Sequence, residues 1–211
     1  MEKNRPGLLE DVARYYSAKL AEHGETPRGV DWNGEESQRR RFEQLCKLIE
    51  APNDFSINDV GCGYGALCDY LKEHFGAFRY HGIDVSEDMT EAGRRRFAGT
   101  PNVAFTTAAR PDQVADFGVA SGIFNVRMGR GDLEWTDYLR DTLDVLNETS
   151  RRGFGFNCLT SYSDPEKMRD ELYYADPCVL FDLCKRRYSR HVALLHDYGL
   201  YEFTILVRND K

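Results

Sequence analysis

The sequence predicts an α/β fold of the doubly wound kind: a mostly parallel, seven-stranded sheet with helices on both faces and an antiparallel hairpin at its C-terminal end. Three observations lead there. Short apolar, β-branched or aromatic runs alternate with helical patterns along the chain, the arrangement that lays strands parallel with crossover helices. A strand, a glycine-rich turn and the start of a helix are packed into Ser56–Leu67. The last two strands are joined only by Asp197-Tyr198-Gly199-Leu200, too short for a crossover, so that pair must be antiparallel.

The elements follow in order. Leu8, Leu9, Val12, Tyr15, Tyr16 and Leu20 mark a first helix over residues 8–22, ending near His23-Gly24. A link containing Pro27, Gly29 and Trp32 follows, then a helix over Glu35–Glu50 stopped by Pro52. On a helical wheel its inward face carries Phe42, Leu45, Leu48 and Ile49 together with the polar Gln38 and Arg41. The first strand ends at Val60, and the helix after the glycines runs to about Phe75. A second strand spans Phe78–Asp84, and Ser86 caps a helix running to about Phe97, with Glu87 and Asp88 in its first turn. Strands are expected at Val103–Thr106, Asp116–Ser121 and Phe154–Leu159, with a helix over Trp135–Glu148 carrying Leu139, Leu143 and Leu146. Residues 161–188 read as a helical insert, and His191–His196 and Tyr201–Val207 as the closing hairpin. These elements divide into an N-terminal pair of helices with a candidate lid (residues 1–50) and a core (residues 51–211), within one structural domain.

Composition narrows the partners. The 211 residues carry a net charge of −7, and this acidic balance argues against nucleic acid as the partner. No apolar run approaches the roughly 20 residues that span a bilayer, so no membrane partner is expected. The N-terminus MEKNRPGLLED is not a signal peptide, and none of the six cysteines forms a CxxC pair or a zinc spacing. A cytoplasmic protein with reduced thiols and no metal is the expectation.

The glycine turn admits two readings. Gly61-x-Gly63-x-x-Ala66 fits a dinucleotide fingerprint, with Asp84 as the ribose ligand of a nicotinamide enzyme. The alternative is Asp59-x-Gly61-x-Gly63-x-Gly65, followed by the acid Asp84 at the end of the next strand. With its acids two residues before the first glycine and at the end of the second strand, and with its closing hairpin, the chain resembles the class I S-adenosylmethionine-dependent methyltransferases over residues 38–208.

The resemblance implies a cofactor, S-adenosyl-L-methionine, and a set of residues to hold it. Asp59 would accept, directly or through water, from the ammonium group, Gly61 and Gly63 would let the chain lie against the amino-acid end and ribose, and Gly65 is the third cofactor-binding glycine of the motif. Asp84 would take the ribose diol, and Val85 and Met89 would pack on adenine. The chain departs from the family after the third strand, where Thr106-Thr107-Ala108-Ala109-Arg110 has no acid before Asp112. Adenine recognition is therefore assigned to the backbone at Ala108, with Thr107 as the alternative. Arg41, beside Gln38 and Trp32, is the candidate cation for the cofactor's carboxylate, and Gly29–Arg41 the candidate lid.

For the acceptor, the ends of the fourth and fifth strands and the insert supply candidates. Asn125 would touch cofactor or acceptor, and Arg127 and Arg130 would hold an anionic group. Tyr15, Tyr16, Trp135, Asn157, Tyr162, Tyr173 and Tyr174 complete the expected pocket. His196, His23 and Asn125 are weak catalytic candidates, and no base is firmly assigned. Ser121-Gly122-Ile123-Phe124-Asn125 lacks the Asp/Asn-Pro-Pro-aromatic signature of DNA amino methyltransferases. The expected function is transfer of a methyl group to O or N of a small molecule, an acidic or sugar-like metabolite being one candidate. The alternatives are an RNA or protein methyltransferase and a non-catalytic cofactor-binding regulator of the same fold.

Overall fold

The computed structural model describes residues 7–50 and 53–209. Its elements are α1 (Leu8–His23), a 3-10 turn (Pro27–Val30), α2 (Glu35–Cys46), β1 (Phe55–Val60), α3 (Ala66–His74), β2 (Phe78–Asp84), α4 (Glu87–Arg96) and β3 (Val103–Thr107). They continue with β4 (Ala115–Ala120), α5 (Asp132–Glu148), β5 (Ser150–Leu159), a 3-10 turn (Pro165–Lys167), α6 (Pro177–Arg187), β6 (His191–Leu195) and β7 (Glu202–Arg208). One seven-stranded sheet has the order β3-β2-β1-β4-β5-β7-β6. Strands β1 to β5 are parallel, and β7 is antiparallel to both β5 and β6.

The sheet explains the sequence pattern. Strands covered on both faces are apolar at nearly every position, as β7 is from Phe203 to Val207. One face packs Phe55, Ile57, Tyr80 and Phe117 against Phe42 of α2 and Leu71 of α3. The other packs Val60, Ala120 and Phe156 against Leu139, Leu143 and Leu146 of α5. Each of those leucines is fully buried and contributes about 1.5–3 kcal/mol relative to an exposed position. Strand order reverses between β1 and β4, and in such sheets a crevice opens there beyond the strands' carboxyl ends.

Strand β5 and helix α5 begin earlier than expected, at Ser150 and Asp132, and two further elements differ more substantially from the sequence expectation. Helix α2 ends at Cys46 rather than Glu50. The amides of Lys47, Leu48 and Ile49 turn to carbonyls three residues back, which tightens the chain while keeping Leu48 and Ile49 buried. The insert is helical only from Pro177 onward, apart from the short 3-10 turn. Its middle is extended instead, because Tyr173 N–H donates to Asn125 C=O, Arg127 N–H donates to Glu171 C=O, and Thr160 bridges Ala175. The helical spacing of Met168 and Leu172 thus does not correspond to a helix. Helix α6 starts where Asp176 accepts from the amides of Cys178 and Val179, with Pro177 at its first position. Among the described residues, no helix is long and apolar enough to cross a membrane.

Candidate functional site

A cavity of about 790 Å³ occupies the crevice between β1 and β4. Its floor is the glycine turn. Gly61 and Gly63 have φ of +74° and +56°, the left-handed region that side chains rarely adopt. A Cβ on Gly61 would stand 2.0 Å from the Ile123 side chain, and one on Gly63 would stand 2.9 Å from Val30. Neither position has room for a side chain, so backbone itself forms that wall. Gly65 differs from the expectation: it is absent from the cavity wall, and a Cβ there would meet Phe97 and Phe105 at 2.8 Å. It serves close packing of the turn against the core.

Two carboxylates frame the turn. Asp84 accepts from Gly63 N–H and Ser86 N–H, both at 2.9 Å, so each oxygen is oriented and keeps a further lone pair. Burial holds its carboxyl above the usual range, against the opposing pull of those backbone amides. Asp59 is almost fully buried and accepts a hydrogen bond from Tyr80 Oη at 2.7 Å. Burial pushes its carboxyl up to about 7, with the charge of Asp84 adding to the effect and the Tyr80 hydrogen bond opposing it. A cation placed beside Asp59 would restore its ionised form. Val85, Met89 and Ala108 line the same cavity, as do Gln38, Tyr64 and Trp32. Trp32 lies against the end of β4, where a Cβ on Gly122 would meet its ring at 2.3 Å.

The N-terminal segment closes one side. Leu8, Leu9, Val12 and Tyr16 of α1 and Val30 of the 3-10 turn line the cavity. Helix α1 is tied down by Asp11–Arg130 at 2.6 Å, by Ser17 against Ser86 at 2.9 Å and by Lys19–Asp31 at 2.9 Å. Tyr15 donates to Asp31 and is not in the cavity wall, whereas Tyr16 is.

Other residues expected at the site have different work. Arg41 gives both sides of its guanidinium to Glu202, Nε to Oε2 at 2.7 Å and Nη2 to Oε1 at 2.8 Å, and donates to Ser37 C=O. Its charge is neutralised below the cavity, while its plane stacks on Trp32 at 3.9 Å from the ring centroid. Asn125 braces the same cluster, donating to Glu202 and accepting from Leu159 N–H, and does not reach the cavity. Asn157 is fully buried, accepts from Gly122 N–H and donates to Ser121 Oγ, so it shapes the wall from behind. Trp135 is a core residue whose indole donates to Phe124 C=O. Arg127 is paired with Asp132, and Arg130 with Asp11 and Glu134, so neither offers a free cation.

The insert and the histidines are also displaced from the expected pocket. Tyr162 is 67% exposed, the Tyr173 hydroxyl meets Thr136, and the Tyr174 hydroxyl accepts from Arg169 N–H. None of the three lines the cavity. His196 is exposed beside Tyr162 and Phe203, and His23 sits at the end of α1 beside Glu22. Among the described residues, no histidine lines the cavity. Helix α5 adds wall residues that were not among the expected ones, Tyr138, Asp141, Thr142 and Val145. Their spacing is that of a second helical stripe beside Leu139, Leu143 and Leu146, a signal present in the sequence but masked by the stronger leucine stripe.

Comparison with known proteins gives a consistent grouping. Residues 57–151 match the model of a family described as "Methyltransferase domain". The chain is 64% identical over 162 residues to "Putative methyltransferase Rv1506c" of Mycobacterium tuberculosis (strain ATCC 25618 / H37Rv), covering 77% of this chain and 98% of that protein. A shorter match, 34% identical over 67 residues, covers 31% of this chain and 26% of a trans-aconitate 2-methyltransferase of Rhizobium rhizogenes (strain K84 / ATCC BAA-868). Among solved structures, the fold is similar to magnesium protoporphyrin IX methyltransferase from Synechocystis PCC 6803 with bound S-adenosylmethionine. That similarity has a TM-score of 0.66 at 12% identity and covers 95% of this chain and 96% of that one.

Proposed function

Because the chain belongs to the class I S-adenosylmethionine-dependent methyltransferases, we propose that it transfers a methyl group to O or N of a small molecule bound in the cavity beneath α1. The single observation that carries this reading is the cavity built on the Gly61–Gly63 turn with Asp59 and Asp84 at its edges. The residues fit the cofactor. Bare backbone at Gly61 and Gly63 makes room for its amino-acid end. Asp59, held near 7 by burial, gains from a neighbouring ammonium. Asp84, oriented by two amides, has lone pairs left for a ribose diol. Val85, Met89 and the backbone of Ala108 border the place for adenine.

When bound, the cofactor would supply an electrophilic methyl group on sulfonium to a lone pair of the acceptor, its sulfur keeping the electron pair of the broken C–S bond. The chain's contribution is alignment and exclusion of water, through Trp32, Tyr16 and the apolar face of α1. Among the described residues no histidine lines the cavity, so in this scheme the methylated product carries its proton out of the site and gives it up to bulk solvent. The reading places the protein in the cytoplasm, where its six unpaired cysteines stay reduced.

The test is incubation with methyl-labelled cofactor and fractionated metabolite, RNA and protein extracts. Label in the small-molecule fraction with release of S-adenosylhomocysteine supports the reading. Label confined to RNA or protein, or cofactor binding without any labelled product, overturns it.

A further inference from the structure

We propose that the acceptor is an uncharged molecule with an apolar body, and that anionic acceptors such as carboxylates and phosphates are turned away; this rests on the methyl-transfer reading of the same cavity. Two observations carry it. The first is where the cations are. Every arginine that the sequence brings near the acceptor side is held by carboxylate: Arg41 by Glu202, Arg127 by Asp132, and Arg130 by Asp11 and Glu134. Among the described residues, the one cationic side chain in the cavity wall is Arg110, itself 3.4 Å from Glu148.

The second is what the wall contains instead. Asp59, Asp84, Asp141, Asp144 and Glu148 all face it. Asp144 is paired with Arg187 from outside the cavity and Glu148 with Arg110. A cavity of this polarity attracts the sulfonium and ammonium of the donor. It disfavours an anion, which would lose its water beside carboxylates with no free arginine fork among the described residues to receive it. The side under α1 is apolar, formed by Leu8, Leu9, Val12 and Ile123, with the hydroxyls of Tyr16 and Tyr138 as polar points. An apolar body with one neutral hydroxyl or amine matches that surface. The partial likeness to a trans-aconitate methyltransferase therefore does not carry its acidic substrate to this chain, whose cavity lacks a free cation among the described residues.

The experiment uses calorimetry on the wild-type protein. S-adenosylhomocysteine is titrated first, and absence of binding would overturn the cofactor reading itself. The loaded protein is then titrated with 2-naphthylamine, 2-naphthol and 2-naphthoate, which share one apolar body. The two neutral probes are expected to bind at least tenfold more tightly than the naphthoate. Equal or tighter binding of naphthoate, or binding of none of the three to the loaded protein, would overturn the proposal. A Leu9→Arg variant adds a cation to the half-buried wall and is expected to raise naphthoate affinity at least tenfold. Unchanged naphthoate binding in a folded, S-adenosylhomocysteine-binding variant would count against charge as the basis of the discrimination.

Discussion

Glu202→Gln is the substitution whose consequences follow most directly from the structure. Glu202 is 1% exposed and meets Arg41, 6% exposed, through two hydrogen bonds of 2.7 and 2.8 Å. Asn125 donates to the same carboxylate. The neutral amide keeps the volume but leaves the Arg41 charge buried without its counter-ion. Breaking such a pair costs about 3–5 kcal/mol. For a domain of this size each kcal/mol lowers Tm by about 2–4 °C, so the expected loss is roughly 6–20 °C. Urea unfolding and differential scanning calorimetry read it. Replacing both partners, Arg41→Met with Glu202→Leu, removes the charges together and is expected to recover most of the loss. The double variant also removes the guanidinium stacked on Trp32, so it should fold yet bind S-adenosylhomocysteine more weakly. A Glu202→Gln protein within about 0.5 kcal/mol of wild type, or a double variant no more stable than the single, would refute the reasoning.

Two further predictions concern the turn and its acid. The Asp59 carboxyl lies near 7 in the folded protein and at 3.8 as a free side chain, so the folded state holds the extra proton. This contribution to stability is fully present below pH 3.8 and is lost as pH rises through about 7. Cofactor binding needs the ionised form, so affinity for S-adenosylhomocysteine should rise about fifteenfold from pH 5.5 to 7.0, with proton release on binding, while Asp59→Asn flattens the profile. A flat profile in the wild type would remove Asp59 from the ammonium site. Gly61→Ala places a Cβ 2.0 Å from Ile123 at φ +74° and should abolish S-adenosylhomocysteine binding with a clear fall in Tm. Gly99→Ala, at φ +76° with nothing within 4 Å, should cost only about 1–2 kcal/mol and leave binding intact. Equal effects of the two would mean that the close approach at Gly61 is unimportant.

The alternation of strands and helices, the closing antiparallel hairpin and the glycine turn were legible in the sequence because their signals are local. Asp59, Gly61, Gly63 and Asp84 are fixed by a turn and two adjacent strand ends, so their spacing alone brings them together. The acceptor side was not legible, for a physical reason. Arg41 reads as a free cation on an inward helix face until β7 delivers Glu202 from the far end of the chain. Arg130 reads as an anion anchor until α1 delivers Asp11. The tyrosines of the insert read as pocket residues because the family resemblance places an insert after the fifth strand over the acceptor, whereas backbone pairing with the loop after β4 holds them elsewhere. Conversely, Leu8, Leu9 and Val12 read only as the apolar positions of a first helix, and the placement of α1 over the crevice makes them cavity wall.

The central claim, that the β1–β4 crevice is the S-adenosylmethionine site, is tested most directly by a crystal structure of the protein with S-adenosylhomocysteine. The account predicts the amino-acid end against Gly61 and Gly63 beside Asp59, the ribose diol on the Asp84 carboxylate, and adenine between Met89 and Ala108. Nucleoside density elsewhere on the protein, or a ribose turned away from Asp84, would contradict it.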